Sequence, residues 1–187
     1  MTLFYSAAAK GFFDDRLHTE VPTDAVEIST DRHAELLQSQ SAGKIIVADE
    51  GGNPVAVEPR SLLSLNQLKD LRWQEVKQNR DWRIDGGCDV PGIGRFDTDT
   101  LSRSNINGAV TGAVMAKSAD VAFAVQWKLA DNSLAELDAD QMFVVGQTVL
   151  AHVSTCHARS QALGLLIAAA DTVADLEAID IEEGWPA

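Results

Sequence analysis

Two cysteines, Cys88 and Cys156, are all the chain has in 187 residues, and they do not form a C-x-x-C pair. A disulfide-stapled scaffold and a cysteine-rich zinc module are both excluded. The start, MTLFYSAAAKGFFDD, lacks the basic opening and long apolar run of a secretory leader. Both cysteines are therefore expected as free thiols in a reducing compartment. Long apolar runs are missing too. The most apolar stretch, residues 162–170, is about half of a bilayer span, so no membrane insertion is expected. Basic residues are scarce where they would matter for nucleic acid. The formal charge is −13, and from residue 129 onward Arg159 is the only positive side chain. Nucleic-acid binding needs a basic face, and this composition argues against one. No phosphate loop, G-x-S-x-G elbow or complete dinucleotide glycine motif occurs, since Gly92-Ile93-Gly94 has neither the third glycine nor a following helix. No repeat or low-complexity stretch is visible.

What is present is an apolar fraction of 45%, enough for a medium domain or two small ones to bury a core. Charge is uneven: −5 over residues 1–60, +1 over 61–128 and −9 over 129–187. A surface of one sign repels its own copies and favours a basic partner, or simply keeps the protein in solution.

Local patterns point to an α+β fold in two parts, 1–60 and 61–187. In the first, TLFY and GFF are two strands of a hairpin, or one strand and a loop. A helix follows, capped by Ser29, Thr30 or Asp31, with Ala34, Leu36 and Leu37 as its apolar face. GKIIVADEGGNPVAVEP reads as a hairpin turning at Gly-Gly-Asn, with Pro54 at the head of its second strand. In the second part three main helices and two hairpins are expected. Leu62, Leu65, Leu68 and Val76 mark an amphipathic helix. Gly86-Gly87 and Pro91-Gly92 punctuate two short strands, the first expected to contain Trp82 in the core. Asp97, Thr98 or Asp99 caps the next helix, whose apolar side is Leu101, Ile106, Ala109, Val110, Ala113 and Val114, with Asp99 and Arg103 supporting each other. VAFAVQWKL and LAEL form a hairpin around Asp131-Asn132-Ser133, with Trp127 facing inward. Asp138 or Asp140 then opens the longest helix, reaching about residue 170.

That helix carries the only stretch suggestive of chemistry, AHVSTCHARSQ, with His152, Cys156 and His157. At about 100° per residue, Met142, Val145, Val149, Val153, Cys156, Leu163 and Ile167 share one stripe, with Gly146, Ser160 and Gly164 on or beside it. Cys156 therefore belongs to a core-facing stripe, and the two histidines sit roughly 140° apart near its opposite edges. They cannot both aim at one ion. His152 with Cys156 could, but zinc would need two more ligands, and Cys88 is the only other thiol. Catalytic, cofactor and metal residues are expected to be none. Trp185, beside Pro186, is expected either in a groove of its own domain or offered to a partner.

Fourteen positions carry a resemblance: Phe4, Tyr5, Gly11, Phe12, Phe13, Asp14, Pro22, Asp24, Ala25, Leu36, Leu37, Gly43, Lys44 and Pro54. In this order they resemble the N-terminal region of tailed-phage tail-fibre assembly proteins. DTDTLSRSNINGAV, WKLADNS and IDIEEGWP further along resemble an uncharacterised domain found at the C-terminal end of many phage tail-fibre and fibre-assembly proteins. The second part differs from that of the better-understood assembly proteins. The resemblance implies a non-enzymatic chaperone in the bacterial host cytoplasm, binding the tip of a fibre polypeptide and promoting its folding and trimerisation. The alternative it implies is a structural virion component, such as a receptor-binding cap left on the fibre. Phe4, Tyr5, Phe12, Phe13 and Trp185 are the candidate partner-binding residues, and the small-residue helices leave homo-oligomers open.

Overall fold

A computed structural model describes residues 2–186, which divide into two compact units between Leu68 and Lys69. The fold is α+β.

In the first unit the aromatic runs form a hairpin, β1 (Leu3–Ser6) and β2 (Gly11–Asp14), with Phe4 opposite Phe13 and Tyr5 opposite Phe12. A third strand, β3 (Val26–Ile28), pairs antiparallel with the other side of β1, giving the order β2-β1-β3. Helix α1 (Thr30–Ser41) starts where the Ser29 hydroxyl accepts the Arg32 N–H. Only Leu36 of its expected apolar face is buried; Ala34 is exposed and Leu37 is 43% exposed. Leu37 lies about 100° around the helix from Leu36 and misses the one surface that α1 covers. Strands β4 (Ile45–Ala48) and β5 (Pro54–Val57) form the hairpin expected around Gly-Gly-Asn. One Asp49 carboxylate oxygen closes its loop by accepting the N–H groups of Gly51 and Asn53.

Leu62, expected in the amphipathic helix, belongs instead to a short 3-10 turn (Pro59–Leu62) and is 52% exposed. Helix α2 (Leu65–Asp85) starts after Ser64, which exchanges side-chain and backbone bonds with Gln67. The helix runs farther than the glycine punctuation suggested. Trp82 is therefore helical and 69% exposed, not a core strand residue, because the buried positions Leu68, Val76 and Ile84 recur every eighth residue and leave Trp82 on another side.

The second unit continues through hairpin β6 (Cys88–Val90)–β7 (Gly94–Phe96), helix α3 (Thr100–Ser118), hairpin β8 (Ala124–Lys128)–β9 (Leu134–Asp138), helix α4 (Ala139–Ala169) and the short α5 (Val173–Glu177). Asp99 caps α3, accepting the N–H groups of Leu101 and Ser102. Arg103 does not reach back to it. Its guanidinium bonds to Asp85 and to the Thr98 carbonyl. On α3 only Ile106 and Ala113 are fully buried, while Leu101 and Val114 face solvent, contrary to the expected apolar side. The narrow side of α3 is what packs on α4: a Cβ on Gly146 would lie 2.7 Å from Val110. Asp138 caps α4 through a reciprocal pair of bonds with Gln141.

Phe96 (0% exposed), Ile106, Leu137, Met142 and Val145 form the centre of the core, with half-buried Trp127 against Phe96 at 6.0 Å between ring centroids. Buried Thr98 ties the end of α2 to this core. Its hydroxyl donates to Ile84 O at 2.6 Å and accepts from Gly87 N at 2.8 Å. Thr98→Val keeps the volume but leaves both backbone groups unpaired. It should destabilise the second unit by about 1–3 kcal/mol in urea titrations followed by tryptophan fluorescence.

Candidate binding surfaces

Strand alternation sorts the first unit's aromatics. Leu3, Tyr5 and Phe12 share one face of the sheet, and Phe4 and Phe13 share the other. Tyr5 is 2% exposed and packs on Phe12 at 5.4 Å, and Phe12 in turn meets His33 of α1 at 4.6 Å. Burial raises the Tyr5 hydroxyl pKa above its ordinary value. Tyr5 is thus a core residue, and any surface role falls to its neighbours. Phe4, Phe12 and Phe13 are half-buried, and Phe13 stacks edgewise on His18 at 5.1 Å.

On its outer side β2 pairs with no strand among the described residues. The Asp14 N–H on that edge donates to His18 Nδ1 at 3.0 Å. The tip of the hairpin is fixed from outside. The Asp24 carboxylate accepts the Ser6 hydroxyl at 2.9 Å and the Ala8 N–H at 2.9 Å. Those backbone and side-chain bonds hold the Asp24 pKa below its ordinary value of 3.8. The folded pKa is depressed, so this stabilisation is complete above the ordinary value and is lost as pH falls through the lowered one. Asp24→Asn should therefore melt with less dependence on pH than the parent as pH falls below about 4, as read by far-UV circular dichroism.

The AHVSTCHARSQ stretch lies in α4. His152 is 8% exposed, and its Nε2 pairs with Arg83 O of α2 at 3.0 Å, with Cys156 Sγ 4.0 Å away. His157 is exposed and lines a separate pocket with Asp81, Asp85 and Arg103. Cys156 and Cys88 are buried, and desolvation raises both thiol pKa values. A thiol held protonated in this way is a poor nucleophile and a poor metal ligand. Among the described residues no group of three or more His, Cys, Asp or Glu side chains could hold a metal ion.

Trp185 closes the irregular segment after α5. Its indole N–H donates to Ile181 O at 2.8 Å, and the ring is half-buried against its own unit. Side chains from α2 and α4 grip the carbonyls of the same segment: Arg72 on Ile179, Asn79 on Ile181, and Arg159 on Asp180 and Glu183. Arg159, the only positive residue after position 128, is thus spent on the chain's own tail. Gly184, at φ +77, lies so close that a Cβ there would be 3.0 Å from Arg159 Nε. The candidate partner residues are therefore divided: four sit in the first unit's sheet, and Trp185 in the second unit.

Trp82, expected in a core strand, is instead a surface residue of α2. With Arg83 stacked 5.1 Å from its ring centroid, it borders an open cavity of about 210 Å³ that also involves Arg95, His152 and Pro186. The spacing of Leu68, Val76 and Ile84 would have located it on an exposed side of α2.

Residues 67–183 match the model of a family described as "Domain of unknown function (DUF4376)". A stretch of 75 residues is 40% identical to a protein named "Probable tail fiber assembly protein" from Shigella phage SfV, covering 37% of this chain and 45% of that protein. The chain thus spans less than half the length of this curated relative. No solved structure matches the chain significantly. Among the described residues no helix is long and apolar enough to cross a membrane.

Proposed function

The chain belongs to the DUF4376 family, and from that premise we propose that it is a phage tail-fibre assembly chaperone, non-enzymatic, acting in the cytoplasm of the bacterial host. The observation that carries this reading is the 40% identity to a protein named for tail-fibre assembly. The geometry supports it at one place. The outer edge of β2 lacks a strand partner among the described residues, and Phe4 and Phe13 sit half-buried beside it. A fibre chain awaiting trimerisation exposes unpaired strands and apolar side chains, and a short apolar strand edge can pair with them. On this edge Asp14 is closed on both sides, its N–H by His18 Nδ1 and its carbonyl by the Leu17 and His18 N–H groups, which limits self-pairing, while the outward Phe12 backbone has no partner among the described residues.

The test is physical association. The tagged chain, co-expressed with the fibre polypeptide encoded beside it, should bring down that fibre and co-elute with it in size exclusion. Phe4→Ser/Phe13→Ser, with unchanged circular dichroism, should weaken the complex at least tenfold. Absence of any complex with the parent chain contradicts the proposal. Recovery of the chain from purified particles at a fixed ratio to the fibre would instead assign it a permanent structural place.

A further inference from the structure

Most arginines of this chain are paired with acid. Arg16, Arg32, Arg72, Arg80, Arg95 and Arg103 each have a carboxylate oxygen within 3.7 Å. Arg159 is spent on the tail's carbonyls. Arg83 differs. Its acceptors among the described residues are neutral: Nε donates to Asn79 Oδ1 at 3.3 Å, and one Nη to Glu182 O at 3.4 Å. The Glu182 carboxylate goes instead to Asn79 Nδ2, at 3.0 Å. An arginine offers five N–H donors, so three of those on Arg83 have no acceptor among the described residues.

Arg83 lines the open cavity of about 210 Å³ beside Trp82, and the walls of that cavity are fixed. The guanidinium lies 5.1 Å from the centroid of the Trp82 ring, which is 69% exposed. Arg95, also in the wall, is tied to the main chain: one Nη donates to Gly86 O at 2.9 Å and Gly87 O at 3.1 Å, the other to Asp89 at 3.0 Å. Gly87, at φ +87, makes room for it, since a Cβ there would lie 3.3 Å from Arg95 Nε. His152 lines the cavity from α4. A carbonyl can only accept, so His152 Nε2–H donates to Arg83 O and locks this turn of α2 in place. No Asp or Glu is among the described residues that line the cavity, whereas the pocket at His157 has Asp81 and Asp85.

We propose that this cavity binds the C-terminal carboxylate of a partner polypeptide. Three features select that ligand. The first is charge: two arginines line the site and only Arg95 has a carboxylate of its own, so the ligand is an anion. A guanidinium fork matches a carboxylate in two parallel bonds, and a carboxylate in its plane continues the flat stack along Trp82. The second is size. The cavity is smaller than the ~300–1,000 Å³ of a small-molecule site, and suits one residue. The third is the rim. Pro186 borders the cavity and Arg83 holds Glu182 O, so the acidic tail runs beside it. An internal acidic residue would carry its chain onward in two directions past Glu182 and Glu183. A chain that ends in the cavity leaves in one.

NMR on the full chain tests this, following the Trp82 indole N–H, assigned with Trp82→Phe. The probes are acetyl-Gly-Leu with a free carboxylate, its C-terminal amide, and acetyl-Gly-Asp-Gly amide. The free acid should shift the indole signal to saturation. The two amides should bind about tenfold or more weakly, the loss expected for a hydrogen bond to a charged group. Arg83→Lys keeps the charge and the backbone bond to His152 but removes the fork. With an unchanged melting curve, it should weaken the acid by about tenfold. No shift at ~10 mM acid, where a millimolar site is filled, overturns the proposal. So does either amide binding as tightly as the acid, inorganic phosphate competing equally well, or Arg83→Lys binding like the parent. Extending the chain past Ala187 by Gly-Ser should leave the affinity unchanged. A tenfold gain would mean that the chain's own end is the occupant, and also overturns it.

Discussion

Tyr5→Ala should cost the first unit about 3–5 kcal/mol, the range for deleting a buried aromatic ring. The side chain is 2% exposed, with Phe12 stacked on it and Ile28 and Val26 opposite its strand in β3. Small domains hold only about 5–15 kcal/mol in total, so the variant loses a large share of its folded margin. Amide hydrogen exchange over β1 and β2 is the readout: protection there should fall by at least a hundredfold. Phe4→Ser, on the opposite face and half-buried, should leave most of that protection intact. The contrast separates a residue that builds the sheet from one that the sheet presents.

Phe96→Ala should cost the second unit a similar amount, about 3–5 kcal/mol. Phe96 is 0% exposed in β7 and touches Trp127 across the core, and its carbonyl lies 2.8 Å from where a Cβ on Gly87 would stand. The surrounding backbone is therefore tight and cannot collapse far into the cavity. All four tryptophans, Trp73, Trp82, Trp127 and Trp185, lie in the second unit, so their fluorescence follows that unit's unfolding. With a urea slope of about 1–3 kcal/mol/M, the midpoint should drop by about 1–5 M. A shift of less than about 0.5 M would mean that Phe96 is not central to packing.

Much of this arrangement is written in local chemistry. Asp138 with Gln141, Asp99 before α3 and Ser29 before α1 are caps whose side chains satisfy the first free N–H groups of a helix, and they act wherever the helix later packs. The Gly-Gly-Asn and Asp-Asn-Ser turns are similarly local; Asn132 sits at φ 68, where asparagine is tolerated. The α4 stripe follows from periodicity alone, and Cys156 lies in it at 0% exposure. What periodicity does not supply is how wide a neighbour is. Leu37, Leu101 and Val114 have the right residue type, but the packed surface covers only a narrow strip of their helices. Trp82 is helical although a glycine pair four residues on signals an earlier helix end, because α2 continues to Asp85. Spacing pairs Arg103 with Asp99, but Asp99 is committed to two N–H groups and Asp85 lies within reach at 2.7 Å. For the candidate site, the aromatic runs were visible as residues, but which of them the sheet encloses depends on which face α1 covers.

On the proposed function this chain presents a shaped surface to a fibre polypeptide, with His152 and Cys156 as packed interior groups. The most direct measurement is the yield of soluble, heat-resistant fibre trimer made in cells with and without this chain. A severalfold higher yield with the chain present, retained when Cys156→Ala replaces the parent, is the predicted result. Equal trimer yield in its presence and absence would contradict it.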